Sequence, residues 1–173
     1  MRTIVVIIIV LIGLLKILGL TPDTVQQSYR DEGIDYVSYA PANIQVIEYG
    51  RQAADSFKVP YYITRNCAKA ETGFKGVFDF GYNPYQTSKD GFASEGPWQI
   101  LYSTAKAVLP GQSFSRKELR TNIKLNATIH AKLFRSLYNS SCRGSWLVSA
   151  SCYNQGVAGL NHINLYAKKV ALY

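Results

Sequence analysis

The sequence predicts a mainly α-helical domain preceded by a single N-terminal transmembrane helix. Three observations carry this expectation. Ile4 to Leu15 is an unbroken apolar run that continues after Lys16 as far as Leu20, about the shortest stretch that spans a bilayer as a helix. Further along, apolar residues recur three and four positions apart in several separate stretches. No segment of useful length shows the alternation of a half-buried strand.

The apolar run has Arg2 before it, and Lys16 lies one turn from its end, where its stem can snorkel towards headgroups. A cleaved signal peptide is the competing reading. Leu18-Gly19-Leu20-Thr21-Pro22 offers no small-residue cleavage site. Ser38-Tyr39-Ala40 has suitable residues, but it is far from the run and Pro41 follows it. Residues 1–20 are therefore expected to be an uncleaved anchor in a lipid bilayer through residues 4–20. Arg2 stays inside, and the acidic stretch Asp23–Asp35 lies outside. Residues 21–41 hold no sustained period and read as a stalk, which leaves residues 42–173 as the folded domain.

Within that domain a first helix runs from about Ala42 to Phe57, with Ile44, Ile47, Ala54 and Phe57 on its inner face. Val59-Pro60 breaks it. The next helix carries Ile63, Cys67, Ala70 and Phe74 on one stripe and stops at Gly73. Glu71 therefore sits near the end of a half-buried helix, where partial desolvation raises a carboxyl pKa. Residues 75–95 mix Gly, Asn, Pro and Ser with Phe78, Phe80, Tyr82, Tyr85 and Phe92. This long loop is either a satellite apolar cluster or a wall on which sugar rings stack.

A short helix follows between Pro97 and Leu109, and Ser115-Arg116-Lys117-Glu118 fits a capping box. The longest helix spans about Thr121 to Tyr138 with Ile123, Ala127, His130, Phe134 and Leu137 on its stripe, so His130 reads as a hydrogen-bonded core or boundary residue. Another helix runs from Gly144-Ser145 through Asn154 and ends at Gly156. The last is expected from about Asn161 to Leu172.

The chain carries +8, and it is unevenly spread. Residues 1–40 contain Arg2, Lys16 and Arg30 against Asp23, Asp31, Glu32 and Asp35, which leaves +9 on the remainder. Such a domain suits an anionic polymer or surface. Thirteen tyrosines mean that composition by itself does not exclude nucleic acid, but no dense basic cluster appears and no nucleic-acid partner is expected. Cys67, Cys142 and Cys152 form no metal-ligand pattern, and His130 and His162 do not complete one. No metal or other cofactor is expected. Outside the cytoplasm one disulfide can form among the three cysteines, with the pairing left open.

Three stretches carry the chemistry: Glu71-Thr72-Gly73-Phe74, Ser94-Glu95-Gly96-Pro97-Trp98-Gln99-Ile100 and Ser151-Cys152-Tyr153-Asn154-Gln155-Gly156. In this order and at these separations they resemble the soluble-type lytic transglycosylases, relatives of goose-type lysozyme. Those show Glu-Ser-x-Phe, then Gly-Leu-Met-Gln with Thr-Ala soon after, then Ala-Tyr-Asn-x-Gly. Here Thr72 replaces the serine, Pro97-Trp98 replaces Leu-Met, and Ser151-Cys152 precedes Tyr-Asn. Asn122-Ile123 is similar to the opening of the family's following helix, and Tyr166 to Val170 to its closing segment.

The resemblance covers about residues 44–170 and implies a lysozyme-like helical domain with a catalytic cleft. It implies Glu71 as catalytic acid/base, with Tyr153 hydrogen-bonding and positioning its carboxyl. Thr72, Ser94, Gly96, Trp98, Gln99 and Asn154 are implied to bind substrate, Gly96 by letting the backbone approach the sugar. The implied substrate is the peptidoglycan glycan strand, cut between N-acetylmuramic acid and N-acetylglucosamine with formation of a 1,6-anhydro ring. Glu95 is a further carboxylate, a candidate second group in a two-carboxylate glycosidase. A hydrolytic muramidase and a non-catalytic wall-binding or virion structural protein of the same fold are the alternatives. A membrane-anchored wall-cutting domain suits a secretion or conjugation machine in the bacterial inner membrane, or the internal membrane of a phage virion.

Overall fold

The computed structural model describes residues 35–88, 93–140, 142 and 144–172. The apolar run of residues 4–20 and most of the expected stalk lie outside them. Among the described residues no helix is long and apolar enough to cross a membrane. The chain divides at Ala40 into two units. The described part of the first contains a 3-10 helix, Tyr36–Tyr39.

The second unit, from Pro41 onwards, is helical, as its periodicity predicts. Its helices are α1 (Ala42–Phe57), α2 (Tyr61–Thr72), α3 (Tyr102–Val108), α4 (Arg116–Thr121), α5 (Ile123–Asn139), α6 (Trp146–Gln155) and α7 (Leu165–Ala171), with a 3-10 turn Gly156–Leu160 between the last two. The final helix is shorter than its sequence pattern predicts. Residues 161–164 are non-helical, and the helix begins where the Asn164 side chain caps α7 by accepting from the Ala167 N–H at 2.8 Å.

α5 is the centre. It packs against α1, α2, α3, α4 and α6, while α7 lies on α2 and α6. Of its predicted stripe, Ile123, Ala127, His130 and Phe134 are buried and Leu137 is half-buried. Asn122 ends α4 and caps α5, its side chain accepting from the Leu125 N–H at 3.0 Å. The predicted capping box at Ser115 and Glu118 is formed in both directions. α1 ends with Lys58 left-handed at φ 56° and the Val59 N–H bonded back to the Ala54 carbonyl at 2.9 Å. Val59 is buried beneath that turn.

Two inner faces differ from expectation. On α1 the buried side is led by Asn43, Val46, Tyr49, Gly50, Ala53 and Ala54, with Ile44, Ile47 and Phe57 only half-buried. On α2 Ala68 is buried and Ala70 exposed, so the stripe from Cys67 reaches Phe74 through the helix end rather than through Ala70. In the long loop Phe74 and Tyr82 pack together at 5.0 Å, whereas Phe78 and Phe80 are 84% and 76% exposed. The satellite cluster is thus confined to the base of the loop. Phe92 lies outside the described residues.

His130 is a core residue but not a hydrogen-bonded one. Among the described residues neither ring nitrogen has a partner. The ring is instead enclosed by aromatics, with Trp98 stacked at 5.5 Å, Phe134 at 4.9 Å and Tyr153 at 5.3 Å. Burial pushes its pKa down to about 3, so at neutral pH it is an uncharged, aromatic packing unit.

A histidine depressed on folding binds its proton more readily in the unfolded chain. The domain should therefore lose stability as pH falls from about 6.5, by up to about 1.4 kcal/mol per pH unit. Thermal unfolding between pH 7 and pH 4 should show this slope in the natural chain, and His130→Phe should remove His130's share of it.

Candidate active site

The turn Glu95–Ile100 is the piece to which the other walls attach. Glu95 and Ile100 exchange backbone hydrogen bonds at 2.9 and 3.0 Å, closing Gly96-Pro97-Trp98-Gln99 into a loop. The indole of Trp98 is fully buried, and its N–H donates to the Thr64 carbonyl of α2 at 2.8 Å. Asn126 of α5 holds the turn from beneath. Its amide N–H groups donate to the Glu95 and Leu119 carbonyls, both at 2.9 Å, and its oxygen accepts from the Trp98 N–H at 3.3 Å. A buried amide with all of these bonds made is a strong positional constraint.

Gly96 and Trp98 are thus not placed as the resemblance implies. A Cβ on Gly96 would stand 2.6 Å from Asn126 Nδ2, and φ is +77°. The close approach that requires glycine is to Asn126, not to a sugar. Trp98 faces the core. Thr72 likewise works inward. Its hydroxyl donates towards the Ala68 carbonyl at 2.9 Å and the Pro97 carbonyl at 3.1 Å. With that single proton engaged, the Tyr82 hydroxyl donates to Thr72, at 2.5 Å. Thr72 thereby fastens the end of α2 to the turn and to the loop.

Glu95 is also removed from the chemistry. It is 3% exposed, with Arg116 at 3.3 Å, Arg120 at 4.0 Å and the Thr87 hydroxyl donating at 2.7 Å. A carboxylate held this way is the anchor of an ion-pair cluster that ties the loop to α4.

The remaining predicted residues do meet. A cleft of about 230 Å³ is lined by Glu71, Ser94, Gln99, Tyr153 and Asn154 together with Ile100, Leu101, Thr104 and Leu133. Glu71 enters from the last turn of α2, which stops because Gly73 turns left-handed at φ 74°. Gln99 enters from a strained backbone, φ 47°, with its amide fixed by the Gly96 carbonyl at 2.9 Å and the Ser94 hydroxyl at 3.2 Å. Asn154 is held by the Asn164 amide at 2.8 Å.

The hydrogen bond to the Glu71 carboxyl comes from a residue the sequence reading did not place in the site. Tyr166 of α7 donates to Glu71 Oε1 at 2.6 Å, and the Cys67 sulfur lies 2.8 Å from the same phenolic oxygen. The Tyr153 hydroxyl donates instead to the Trp98 carbonyl at 2.5 Å, while its ring lies against Phe134 at 4.8 Å. A phenol has one proton. With Tyr166 donating to Glu71, the Cys67 S–H donates to Tyr166, and the three groups form one directed chain. Burial first, then the charges of Cys67 and Glu71, push the Tyr166 phenol well above its usual range. Tyr166 therefore stays protonated and able to donate. Burial likewise raises the Cys67 thiol, with Glu71 adding to it.

Leu101 and Leu133 are lining residues that the sequence pattern did not single out. Gly159 is a further hidden constraint: a Cβ there would lie 2.4 Å from the Ser151 carbonyl group, so the 3-10 turn crosses the α6 backbone in contact with it. Among the described residues no group of His, Cys, Asp or Glu side chains could hold a metal ion.

One carboxyl group at a polar cleft, backed by a half-buried phenol, has the chemistry of a general acid. The Transglycosylase SLT domain model matches residues 49–171, and the chain belongs to that family, acting on peptidoglycan as a lytic transglycosylase. No curated protein and no solved structure matches the chain.

Gly96→Ala should destabilise the domain by roughly 3 kcal/mol, since it combines overpacking against Asn126 with an unfavourable φ. Glu95→Gln should lower stability by roughly 2 kcal/mol by unpairing Arg116 and Arg120. Both are read from denaturant unfolding, with wall cutting by the folded fraction unchanged in Glu95→Gln.

Proposed function

We propose that Glu71 is the single acid/base of the reaction. Its supporting observation is the carboxyl oxygen held at 2.6 Å by Tyr166 on the wall of the cleft. Protonated Glu71 gives its proton to the oxygen bridging N-acetylmuramic acid and N-acetylglucosamine, and the C1–oxygen bond breaks. The substrate's own N-acetyl group stabilises the oxocarbenium-like centre, so a second protein carboxylate is not needed. Ionised Glu71 then takes the proton of the C6 hydroxyl, and that oxygen closes on C1 as a 1,6-anhydro ring.

The hydrogen-bond chain suits a group that alternates between the two states. Facing the carboxylate, Tyr166 donates and Cys67 donates to Tyr166. When Glu71 gains its proton on the other carboxyl oxygen, Tyr166 still donates to Oε1, and the proton is left to face the substrate. Gln99, Ser94 and Asn154 bind the glycan from the opposite walls, and Tyr153 shapes the cleft by bracing the turn at Trp98.

The chain acts at a membrane. The supporting feature is the Ile4–Leu20 apolar run without a cleavage site, which presents the basic domain to the wall for local opening in phage entry or in a secretion or conjugation machine.

Glu71→Gln keeps the size of the side chain and removes the transferable proton. Lysis of purified wall should fall by ~10²–10⁴-fold while the melting temperature stays near that of the natural chain. Tyr166→Phe should be intermediate, because the carboxyl remains but its donor is lost. Unchanged lysis in Glu71→Gln would remove Glu71 from the reaction.

A further inference from the structure

Two of the three cysteines stand together. Cys142 lies in the connection between α5 and α6, and Cys152 lies in α6, ten residues later. Both are buried, and their sulfurs are 2.8 Å apart, the Cys142 thiol donating to Cys152. The third, Cys67, is engaged with Tyr166 at the cleft.

The described backbone at Cys142, Gly144 and Ser145 is hydrogen-bonded. The Cys142 N–H donates to the Leu137 carbonyl at 3.0 Å, the Gly144 N–H to the Tyr138 carbonyl at 3.0 Å, and the Ser145 N–H to the Cys142 carbonyl at 3.0 Å. The rings of Tyr138 and Trp146 stack across the connection at 4.0 Å. The two sulfurs are already in contact, so joining them asks only for a closer approach of the side chains.

We propose that Cys142 and Cys152 are a disulfide site, closed during folding by a low-molecular-weight disulfide such as oxidised glutathione, and that Cys67 stays a free thiol. One cysteine thiolate attacks the glutathione disulfide and releases one reduced glutathione. The second cysteine then displaces the other, so the protein loses two hydrogens and two electrons and two molecules of reduced glutathione are formed. Once the domain has closed, burial followed by the bond to Cys152 pushes the Cys142 thiol up to about 12. A thiol in that state attacks slowly, which places the exchange before the pair is buried. The bond would fasten the end of α5 to α6 one residue before Tyr153, and so hold the wall of the cleft that carries Tyr153 and Asn154. The inference is independent of the role given to Glu71.

The test is to refold the full chain in detergent with a glutathione redox buffer, and in parallel with dithiothreitol. Free thiols are capped with N-ethylmaleimide before tryptic digestion and mass spectrometry. The glutathione sample should give the Cys142 and Cys152 peptides joined, with the cap on Cys67 alone. The oxidised chain should melt roughly 5–10 °C above the reduced one. The Cys142→Ser and Cys152→Ala variants should show no such gap, and Cys67→Ala should keep it. Caps on all three cysteines after glutathione refolding, or a cross-link that includes Cys67, would overturn the proposal.

Discussion

The turn Glu95–Ile100, seated on the Asn126 amide, is the constraint on which the site depends. Its carbonyls and side chains receive α2, α5 and α6. Thr64 of α2 accepts from Trp98, Thr72 at the end of α2 donates towards Pro97, and Tyr153 of α6 donates to Trp98. Three helices are thus indexed to one loop by directional bonds in a buried setting, where each is worth more than it would be in water. The residues of the turn that look most like a binding motif therefore serve its placement. Gly96 makes room for Asn126 and Trp98 fills the core, while Gln99 alone of the four turned residues reaches the cleft.

Much of the helical framework was legible because it rests on local chemistry. The capping box at Ser115, the stop at Gly73 and the stripe of α5 are each written within a few adjacent residues. What the sequence hid was direction. Periodicity places Ala70 on the stripe with Cys67, but α2 turns its Ala68 side inward to meet its neighbours. The partners of Glu71 and Glu95 come from residues far along the chain. Tyr166 is 95 positions from Glu71, and the likeness of Tyr166 to Val170 to the family's closing segment does not tell that its hydroxyl meets Glu71. Glu95 beside a cleft motif looks catalytic until Arg116 and Arg120 appear over it. His130 was readable as core from its stripe, but its aromatic enclosure in place of hydrogen bonds depends on Trp98 and Tyr153 arriving from other segments.

These separations of role explain how one carboxylate can suffice. The cleft contains a single acidic side chain among its lining residues, and the other carboxylate of the motif region is neutralised by two arginines on α4. A phenol whose proton is hard to remove backs Glu71, and a thiol that can donate or accept backs the phenol. The carboxyl thus has a hydrogen-bond partner, and no second acidic side chain stands among the lining residues of the cleft.

Mass spectrometry of the muropeptides released from purified wall by the full chain tests this account most directly. A single acid/base that deprotonates the C6 hydroxyl predicts 1,6-anhydro-muramyl ends, carried by nearly every released strand. Reducing muramic acid ends would mean that water is the acceptor, and would contradict the account.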